Sequence, residues 1–366
     1  MTTTRDLLYS ETEGELRSAV RSLLTDRCEA AQVIARAETD QPHDHDLWKT
    51  LAADMGLAGL LIPESLGGQG ATHREAAVVL EELGRFVAPV PYLTSAVIAT
   101  ETLLGCGPGA ADELLTALAS GRSIGVLALP LSTAPSSSYA QVAEVDGKLT
   151  GRVGAVADAT AADVLLVPTA GGLYAVDTTA DGVRITSQTP LDLTRPLATV
   201  TLESAPGRLV GADASAAVRR GLTAGAALLA SEQLGLAEWC LTETVAYLKT
   251  RKQFNRSVGS FQSLKHRLAE LWLETVHARA AARNAADALA SGSDEAPLAA
   301  ALAQAYCAPV AVHAAEEALQ LHGGIGMTWE HPIHLYLKRA KSDSIALGAA
   351  GAHQETVAEL VDLQAP

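Results

Sequence analysis

A change of sequence texture between about residues 122 and 210 limits the possible folds more than any other feature of this chain. The runs in this segment are short and rich in β-branched residues, and Asp-Gly or Gly-Gly pairs separate them: SIGVLALPL, YAQVAEVDGKLTGRVGAV, DVLLVPTAGGLYAVDT and GVRITSQ. Such runs are typical of antiparallel strands joined by hairpins. On both sides, apolar residues recur at helical spacing instead. Helices, then strands, then helices predict an α+β protein with segregated segments, rather than a sheet of alternating βαβ units.

The N-terminal segment, residues 1–121, is predicted to be a helical domain. Its first helix lies in SETEGELRSAVRSLL, where Ser10 is a candidate N-cap and Glu13, three residues later, completes a capping box. DHDLWKTLAADMGLAGLL is predicted to form a second helix that ends in glycines, and PESLGGQGATH a loop. A β domain over residues 122–210 and a C-terminal helical domain over residues 211–366 are expected to follow.

Composition determines the nature of the core and excludes some partners. Hydrophobic residues make up 48% of the chain and aromatic residues only 4%, so the predicted core is aliphatic and rich in alanine. The formal net charge of −15 disfavours nonspecific binding to nucleic acid. The four cysteines lack any CxxC spacing, which predicts reduced thiols in a cytoplasmic protein. No signal peptide and no membrane-spanning run of about 18 apolar residues are expected.

The first cluster of candidate binding residues lies in YLKTRKQFNRSVGSFQSLKHR, at a predicted junction between two helices. Arg251 and Arg256 flank Gln253 and Phe254, so cations, an amide and an aromatic ring gather at one corner. Guanidinium groups pair with phosphate oxygens in a forked geometry, so such a corner suits a pyrophosphate next to a flat ring. The alternative is a helix C-terminus whose basic residues interact with the helix dipole.

The second cluster lies in EEALQLHGGIGMTWEHP, where a helix reaches Gln320 and runs into a glycine-rich loop that includes Gly323 and Gly324. At glycines the backbone approaches a ligand closely and its N–H groups can face an anion, although such a loop is also a common end of a helix. His322 is equally well explained by packing. The other two histidines of this region, His331 and His334, have no cysteine or carboxylate constellation around them in the sequence. No metal site is therefore predicted.

Together the two clusters resemble the motifs of the acyl-CoA dehydrogenase family, which read roughly RxxFGxxIxxFQ and, further along, QxxGGxGY. The chain supplies the elements of both in order: Arg251, Phe254, Gly259, Ser260, Phe261 and Gln262, then Gln320, Gly323, Gly324, Gly326, Glu330 and Pro332. Its stretch MGLAGLLIPESLGGQG is similar to the family's N-terminal GLxGLxxPExxGGxG through Pro63, Glu64, Gly67, Gly68 and Gly70. The order of helical, β and helical segments also matches, so the resemblance covers nearly the whole chain.

The resemblance implies an N-terminal helical domain, a middle antiparallel β-barrel domain and a C-terminal four-helix bundle, with FAD bound between subunits. It implies α,β-dehydrogenation of an acyl-CoA thioester to the trans-enoyl-CoA, a homo- or heterotetramer, and an electron-transfer flavoprotein-like acceptor. In the family, the matching residues hold the adenosine diphosphate end of a neighbouring subunit's FAD. That role carries over to Arg251, Gln253, Phe254, Gln320, Gly323 and Gly324, and Gln262 matches the motif as a supporting residue.

The chain departs from the family pattern where the flavin ring is held. Family members have a TEPxAGSD-like strand and a W-I-T/S-N-like strand, whereas the corresponding stretches here read ALPLSTAPSSSYA and TGRVGAVADATAADVLLV. Ser132 and Thr133 offer hydroxyl groups there, and Asp158 lies near the end of the second strand. Positions in loops explain these three residues better than contacts with a flavin.

A second departure concerns the catalytic base. Dehydrogenation needs a carboxylate that takes the α-proton while the β-hydrogen leaves as hydride to the flavin, and an apolar pocket raises the pKa of that carboxylate. In most relatives this Glu precedes a Gly after the second motif, whereas here Leu347 precedes Gly348. Other relatives carry the Glu on the helix before the Arg motif, where this chain has Gly225. Glu232 and Asp343 are weak candidates for a substitute base.

Four functional hypotheses follow from these departures. The favoured one is a subunit of the base-less type found in heteromeric, actinobacterial-style acyl-CoA dehydrogenases, with a Glu-bearing homologous partner. The second is a catalytic subunit that uses Glu232 or Asp343 instead. A flavin-dependent monooxygenase on the same fold, which needs no such Glu, is the third, and a non-catalytic acyl-CoA-binding paralogue is the fourth. The implied metabolic setting is β-oxidation of fatty acids or sterol side chains.

Overall fold

The N-terminal part of the protein is helical, as the sequence predicts. A computed structural model describes residues 6–139 and 142–363. The capping box at the first helix is confirmed, because the Glu13 N–H donates to Ser10 Oγ at 3.2 Å and the Ser10 N–H donates to Glu13 Oε2 at 2.6 Å. The α-helices of this part are α1 (Glu11–Arg27), α2 (Ala30–Ala37), α3 (His45–Lys49), α4 (His73–Phe86), α5 (Thr100–Leu104) and α6 (Asp112–Ala119).

The helix predicted in DHDLWKTLAADMGLAGLL is shorter than expected and ends before the first of its glycines. Helix α3 passes into a π-helical turn, Thr50–Asp54, in which the Met55 N–H donates to the Thr50 carbonyl at 3.0 Å. Gly56 then takes a left-handed backbone with φ of 70° and ends the helix, and a 3₁₀ turn, Leu57–Gly59, follows. A second π-helical segment, Tyr92–Ala99, is buried on all sides and continues directly into α5.

The middle segment forms two four-stranded sheets. One has the order β1 (Gly125–Leu127), β4 (Val164–Thr169), β5 (Gly172–Asp177), β8 (Arg208–Gly211), and the other has the order β2 (Ala143–Val145), β3 (Lys148–Ala157), β7 (Leu197–Pro206), β6 (Val183–Gln188). The expectation of purely antiparallel pairing is wrong in one place, because β1 and β4 are parallel. The chain leaves the first sheet to form β2 and β3 and re-enters it in the same direction. Residues 140–141, inside the first predicted hairpin, lie outside the described residues.

The C-terminal part is again helical and has an alanine-rich core. Helix α9 contacts all four other helices of this part. Helices α7, α8, α9 and α11 form a bundle, and α10 packs against α7 and α9. Their bounds are α7 (Ala214–Thr250), α8 (Gln262–Ala290), α9 (Ala296–His322), α10 (Ile333–Asp343) and α11 (Ala350–Leu360). A two-stranded hairpin, β9 (Lys252–Gln253) with β10 (Arg256–Ser257), connects α7 to α8.

Helix α4 of the N-terminal part packs directly along α7, because glycines let the two backbones touch. A Cβ on Gly84 would lie 2.2 Å from the Glu232 carbonyl oxygen, and a Cβ on Gly235 would lie 2.0 Å from the Glu81 carbonyl oxygen. No side chain fits at either position. The two helical parts therefore share one continuous hydrophobic core. The predicted domain limits of 1–121, 122–210 and 211–366 stay a prediction.

Among residues 6–139 and 142–363, one helical stretch is long and apolar enough to cross a membrane by length and composition alone. It covers Ala296–Met327, and 61% of its most apolar window is buried inside the protein. A helix at the centre of a folded core passes the same test, so this is weak evidence for a span. The expected absence of a membrane segment stays a prediction.

Candidate functional site

The two positions at which the family resemblance predicts a catalytic Glu, Gly225 and Leu347, lie in contact with each other. A Cβ on Gly225 would stand 3.1 Å from Leu347 Cδ1 and 2.7 Å from Ile98 Cγ1. Leu347 is only 2% exposed. Apolar groups therefore fill the space between residues 225 and 347.

The backbone of Leu347 is fixed as firmly as its side chain. Its φ of 56° lies in the left-handed region, which is unusual for a branched side chain. The Leu347 N–H donates to the Leu131 carbonyl at 2.7 Å, and the Leu347 carbonyl accepts from His353 Nε2 at 3.0 Å. At the next residue, Gly348, a Cβ would meet Ala134 Cβ at 2.8 Å. These contacts attach the loop before α11 to the loop that follows β1.

Glu232, the first candidate substitute base, is a partner of two arginines. Its carboxylate accepts from Arg195 Nη2 at 2.7 and 2.8 Å and from Arg339 Nη1 at 2.6 Å, and all three side chains are buried. Burial raises the pKa of Glu232, but the two guanidinium groups outweigh burial and leave this pKa below its usual value. Glu232 is therefore held as an ionised group with both oxygens occupied.

Asp343, the second candidate, belongs to the same group of charges. Asp343 Oδ1 accepts from Arg195 Nη1 at 2.6 Å, while Oδ2 is buried without a hydrogen-bond partner among the described residues. Burial and then the charge of Glu232 raise the pKa of Asp343 to about 8. Arg339 also donates to Asp192. We name these five residues the buried ion cluster: Asp192, Arg195, Glu232, Arg339 and Asp343.

Three members of the buried ion cluster carry no signal in the sequence. Arg195 and Asp192 lie in the loop before β7, and Arg339 lies on α10. Up to 148 residues separate the partners in sequence, and no spacing pattern links them. The cluster connects the middle segment to α7 and α10, and none of its members lines the cavity described next. Its geometry is that of a structural network rather than a proton acceptor.

A cavity of about 410 Å³ lies between the loop after β1 and strand β3. Ser132 and Thr133, the two hydroxyl candidates for contacts with a flavin, both line it. Thr133 Oγ1 already donates to the Pro130 carbonyl at 2.7 Å. Two glycines of β3, Gly151 and Gly154, also line the cavity. A Cβ on Gly154 would meet nothing within 4 Å, so the backbone there lies open to a ligand.

Asp158 lies away from this cavity and has a structural role. Its carboxylate accepts from Thr94 Oγ1 at 2.7 Å and lies 2.9 Å from His43 Nε2, and all three residues are buried. Burial raises the pKa of Asp158, yet His43 holds it below its usual value. The contact attaches the end of β3 to the N-terminal helices.

The predicted basic corner lies at one end of the bundle. Helix α7 ends at Thr250, with Arg251 as its C-cap, and the β9–β10 hairpin follows. Phe254 occupies the tip of the hairpin with a φ of 51° and is 87% exposed. Arg256 stacks its guanidinium 3.8 Å from the ring centroid of Phe261.

The glycine-rich loop lies at the same end of the bundle as the hairpin. The rings of Tyr247, near the end of α7, and His322, the last residue of α9, stack with centroids 4.4 Å apart. Gly323 has a φ of 63°, and Cβ atoms on Gly323 or Gly324 would meet nothing within 4 Å. All seven predicted cofactor residues are exposed, and we name them the bundle corner: Arg251, Gln253, Phe254, Gln262, Gln320, Gly323 and Gly324.

Comparisons with known proteins fit this architecture. Residues 10–122 match the family described as Acyl-CoA dehydrogenase, N-terminal domain, and residues 215–361 match Acyl-CoA dehydrogenase, C-terminal domain. The acyl-CoA dehydrogenase IpdE2 of Mycobacterium tuberculosis is 37% identical over 327 residues, which cover 89% of each chain. The chain belongs to the acyl-CoA dehydrogenase family. This acyl-CoA dehydrogenase is therefore an oxidoreductase of a flavoprotein class that acts in lipid metabolism, and the predicted α+β fold is confirmed.

Two solved structures resemble this acyl-CoA dehydrogenase over nearly its whole length. The ChsE4–ChsE5 complex from Mycobacterium tuberculosis has a TM-score of 0.87 at 28% identity and covers 99% of this chain and 100% of the other. A variant of the Tcur3481–Tcur3483 steroid ACAD has a TM-score of 0.86 at 30% identity and covers 96% of this chain and 98% of the other.

Proposed function

We propose that this acyl-CoA dehydrogenase is the subunit without a catalytic base in a heteromeric complex, and that its bundle corner holds FAD. The observation that carries the proposal is the contact of Leu347 with the Gly225 position. Neither residue can accept a proton, and the neighbours of the Gly225 position are the apolar side chains of Ile98 and Leu347. The α-proton of an acyl-CoA substrate must then pass to a Glu of a homologous partner subunit.

The length of α7 supports sharing of the cofactor between subunits. Gly225 and Thr250 lie on this one helix, and about 25 residues at 1.5 Å each place them about 38 Å apart along its axis. A single extended dinucleotide does not reach from one position to the other. The bundle corner therefore suits a cofactor whose reactive ring lies in another chain.

The side chains of the bundle corner fit the adenosine diphosphate end of FAD. Arg251 would pair with the diphosphate oxygens, and the exposed ring of Phe254 would cover a flat base. The Gly323 N–H already donates to the Gln320 carbonyl, and the backbone at Gly324 would approach the same anion, because a Cβ there would meet nothing within 4 Å. When bound, FAD accepts the β-hydrogen of the acyl chain as hydride.

The relatives support the remaining parts of the proposal. Similarity to a structure named as a complex, ChsE4–ChsE5, supports a hetero-oligomer. Similarity to a steroid ACAD supports an acyl-CoA substrate with a sterol-derived acyl group. An electron-transfer flavoprotein-like acceptor, a tetrameric assembly and a cytoplasmic location complete the proposal, and no nucleic acid takes part.

Co-expression with a Glu-bearing homologous subunit tests this function. The chain is purified alone and with the partner, and FAD content and bleaching of the flavin spectrum by acyl-CoA are measured. We expect bleaching only in the complex. Stoichiometric FAD that acyl-CoA bleaches in the chain alone contradicts the proposal, and oxygen consumption by reduced flavin in a homotetramer indicates the monooxygenase instead.

A further inference from the structure

Two histidines and one glutamate converge beside the glycine-rich loop. Glu243 lies on α7, His322 is the last residue of α9, and His331 lies in the loop before α10. One potential ligand atom from each lies within 4.8 Å of the other two. The histidines are only nine residues apart in sequence, but the carboxylate comes from a different helix. The prediction of no metal site considered only the sequence neighbours and could not include Glu243.

His322 is oriented as a ligand. Its Nδ1 lies 2.7 Å from the Ala318 carbonyl, and because a carbonyl only accepts, Nδ1 carries the proton. In the neutral ring, Nε2 then has a free lone pair. Nε2 is buried without a hydrogen-bond partner among residues 6–139 and 142–363, and the residue is 3% exposed. Metal-binding histidines usually have one nitrogen fixed in this way by a second group.

The other two members supply a second imidazole and a negative charge. The His331 ring centroid lies 4.6 Å from that of His322. Its Nδ1 has only a long contact of 3.4 Å from the Ile333 N–H. Burial lowers the pKa of both histidines, which favours the neutral form of each ring. In the described part of the chain, no lysine or arginine forms an ion pair with Glu243.

We propose that Glu243, His322 and His331 bind one divalent cation of the Zn²⁺ type. Two imidazole nitrogens and one carboxylate oxygen are a donor set that suits Zn²⁺, with a fourth position open to water. Ligand atoms around Zn²⁺ at about 2.1 Å lie about 3.4 Å apart, so the cluster closes by a movement of about 1 Å. Both His331 and Glu243 are only half-buried and have room for it.

A bound ion would join three elements at this end of the bundle: α7, the end of α9 and the loop before α10. Gly323 directly follows His322, so the ion would fix the glycine-rich loop. The proposal concerns metal binding by this chain alone and does not depend on FAD or on a partner subunit.

The test uses the full-length chain after dialysis against a chelator. Co²⁺ is added and its visible absorption is followed, and Zn²⁺ binding is measured by calorimetry. We expect one ion per chain, with the Co²⁺ absorption of a site that contains imidazole. His322→Ala and Glu243→Gln should each lower the affinity at least tenfold. His334→Ala is the matched control, because His334 is a half-buried histidine of the same region outside the cluster, and it should bind as the wild type does.

The variants also separate a lost ligand from a lost fold. Circular dichroism checks each variant, and Glu243→Gln keeps the size of a half-buried side chain, so it should fold even if His322→Ala does not. Absence of binding by the dialysed wild type overturns the proposal. Equal affinity of Glu243→Gln and the wild type also overturns it.

Discussion

Leu347 Cδ1 lies 3.1 Å from the point at which a Cβ of residue 225 would stand, and residue 225 is glycine. The absence of a side chain on α7 leaves the space that the leucine fills. These are the two positions at which the family resemblance predicts a catalytic Glu. Here the two replacements fit each other, so neither can be understood as an isolated loss.

This contact predicts coupled effects on stability. Gly225→Ala should lower the free energy of unfolding by about 1–3 kcal/mol through overpacking, and Leu347→Ala should lower it by about 2–5 kcal/mol through a cavity. In the double variant the new methyl group partly fills that cavity, so the loss should be smaller than the sum. Urea unfolding of the four proteins measures the coupling. Additivity within about 0.3 kcal/mol would contradict the contact.

Removal of one arginine from the buried ion cluster should cost much more than removal of an exposed one. Arg339→Met leaves buried carboxylates with too little positive charge, and we expect a loss of about 3–5 kcal/mol in unfolding free energy. Arg184→Met removes the surface pair with Glu203, whose side chains are 66% and 64% exposed, and should cost less than about 1 kcal/mol. Chemical denaturation compares the two. Equal losses would show that the cluster is not a network of paired charges.

Asp343 should make the protein less stable as the pH rises. Its pKa is about 8 in the folded protein and about 3.9 in an unfolded chain, so folding favours the protonated acid. The resulting stabilisation is complete below about pH 4 and is lost as the pH rises through about 8. Asp343→Asn permanently mimics the protonated form.

The measurement for Asp343 is urea unfolding at pH 5, 6.5 and 8. Asp343→Asn should gain stability relative to the wild type at each step upward in pH. Parallel pH profiles for the two proteins would mean that Asp343 is ionised throughout this range.

Arg251→Ala should weaken FAD retention in whichever complex forms. The exposed guanidinium would lose its pairing with the diphosphate, a charged hydrogen bond worth about 1.5–3 kcal/mol, or roughly 10- to 150-fold in affinity. Flavin absorbance after gel filtration measures the retained cofactor. Arg184→Ala is the control, because Arg184 lies on β6, far from the bundle corner in sequence. Unchanged flavin content in Arg251→Ala would refute the cofactor role.

The parts of the fold that depend on local sequence were predictable. The Ser10–Glu13 capping box needs only four consecutive residues, and it forms as expected. The π-helical turn after α3 was not predictable, because the sequence there has ordinary helical periodicity and only Gly56 hints at a break. The parallel pairing of β1 with β4 depends on where the chain returns, and the strand pattern does not encode that.

The candidate sites divide in the same way. The Arg251–Phe254 segment of the bundle corner is contiguous, so the motif itself placed those residues together. The partnership of Arg195 with Asp343 spans 148 residues and became visible only with the fold. The proximity of Glu243 to His322 and His331 could not be predicted for the same reason, because Glu243 lies far from both histidines in sequence.

The buried ion cluster has a consequence for how such proteins can be recombined. A buried ion pair adds little net stability compared with apolar packing, but breaking it by displacing one partner is costly. Arg195 lies in a loop of the middle segment, and Glu232 and Asp343 lie on helices. The guanidinium nitrogens of Arg195 lie 2.6 Å from Asp343 Oδ1 and 2.8 Å from Glu232 Oε1. A middle segment taken from a relative would fit these helices only if its loop before β7 carried residues that pair with the same carboxylates. The buried ion cluster therefore restricts which middle segments can be exchanged between such proteins.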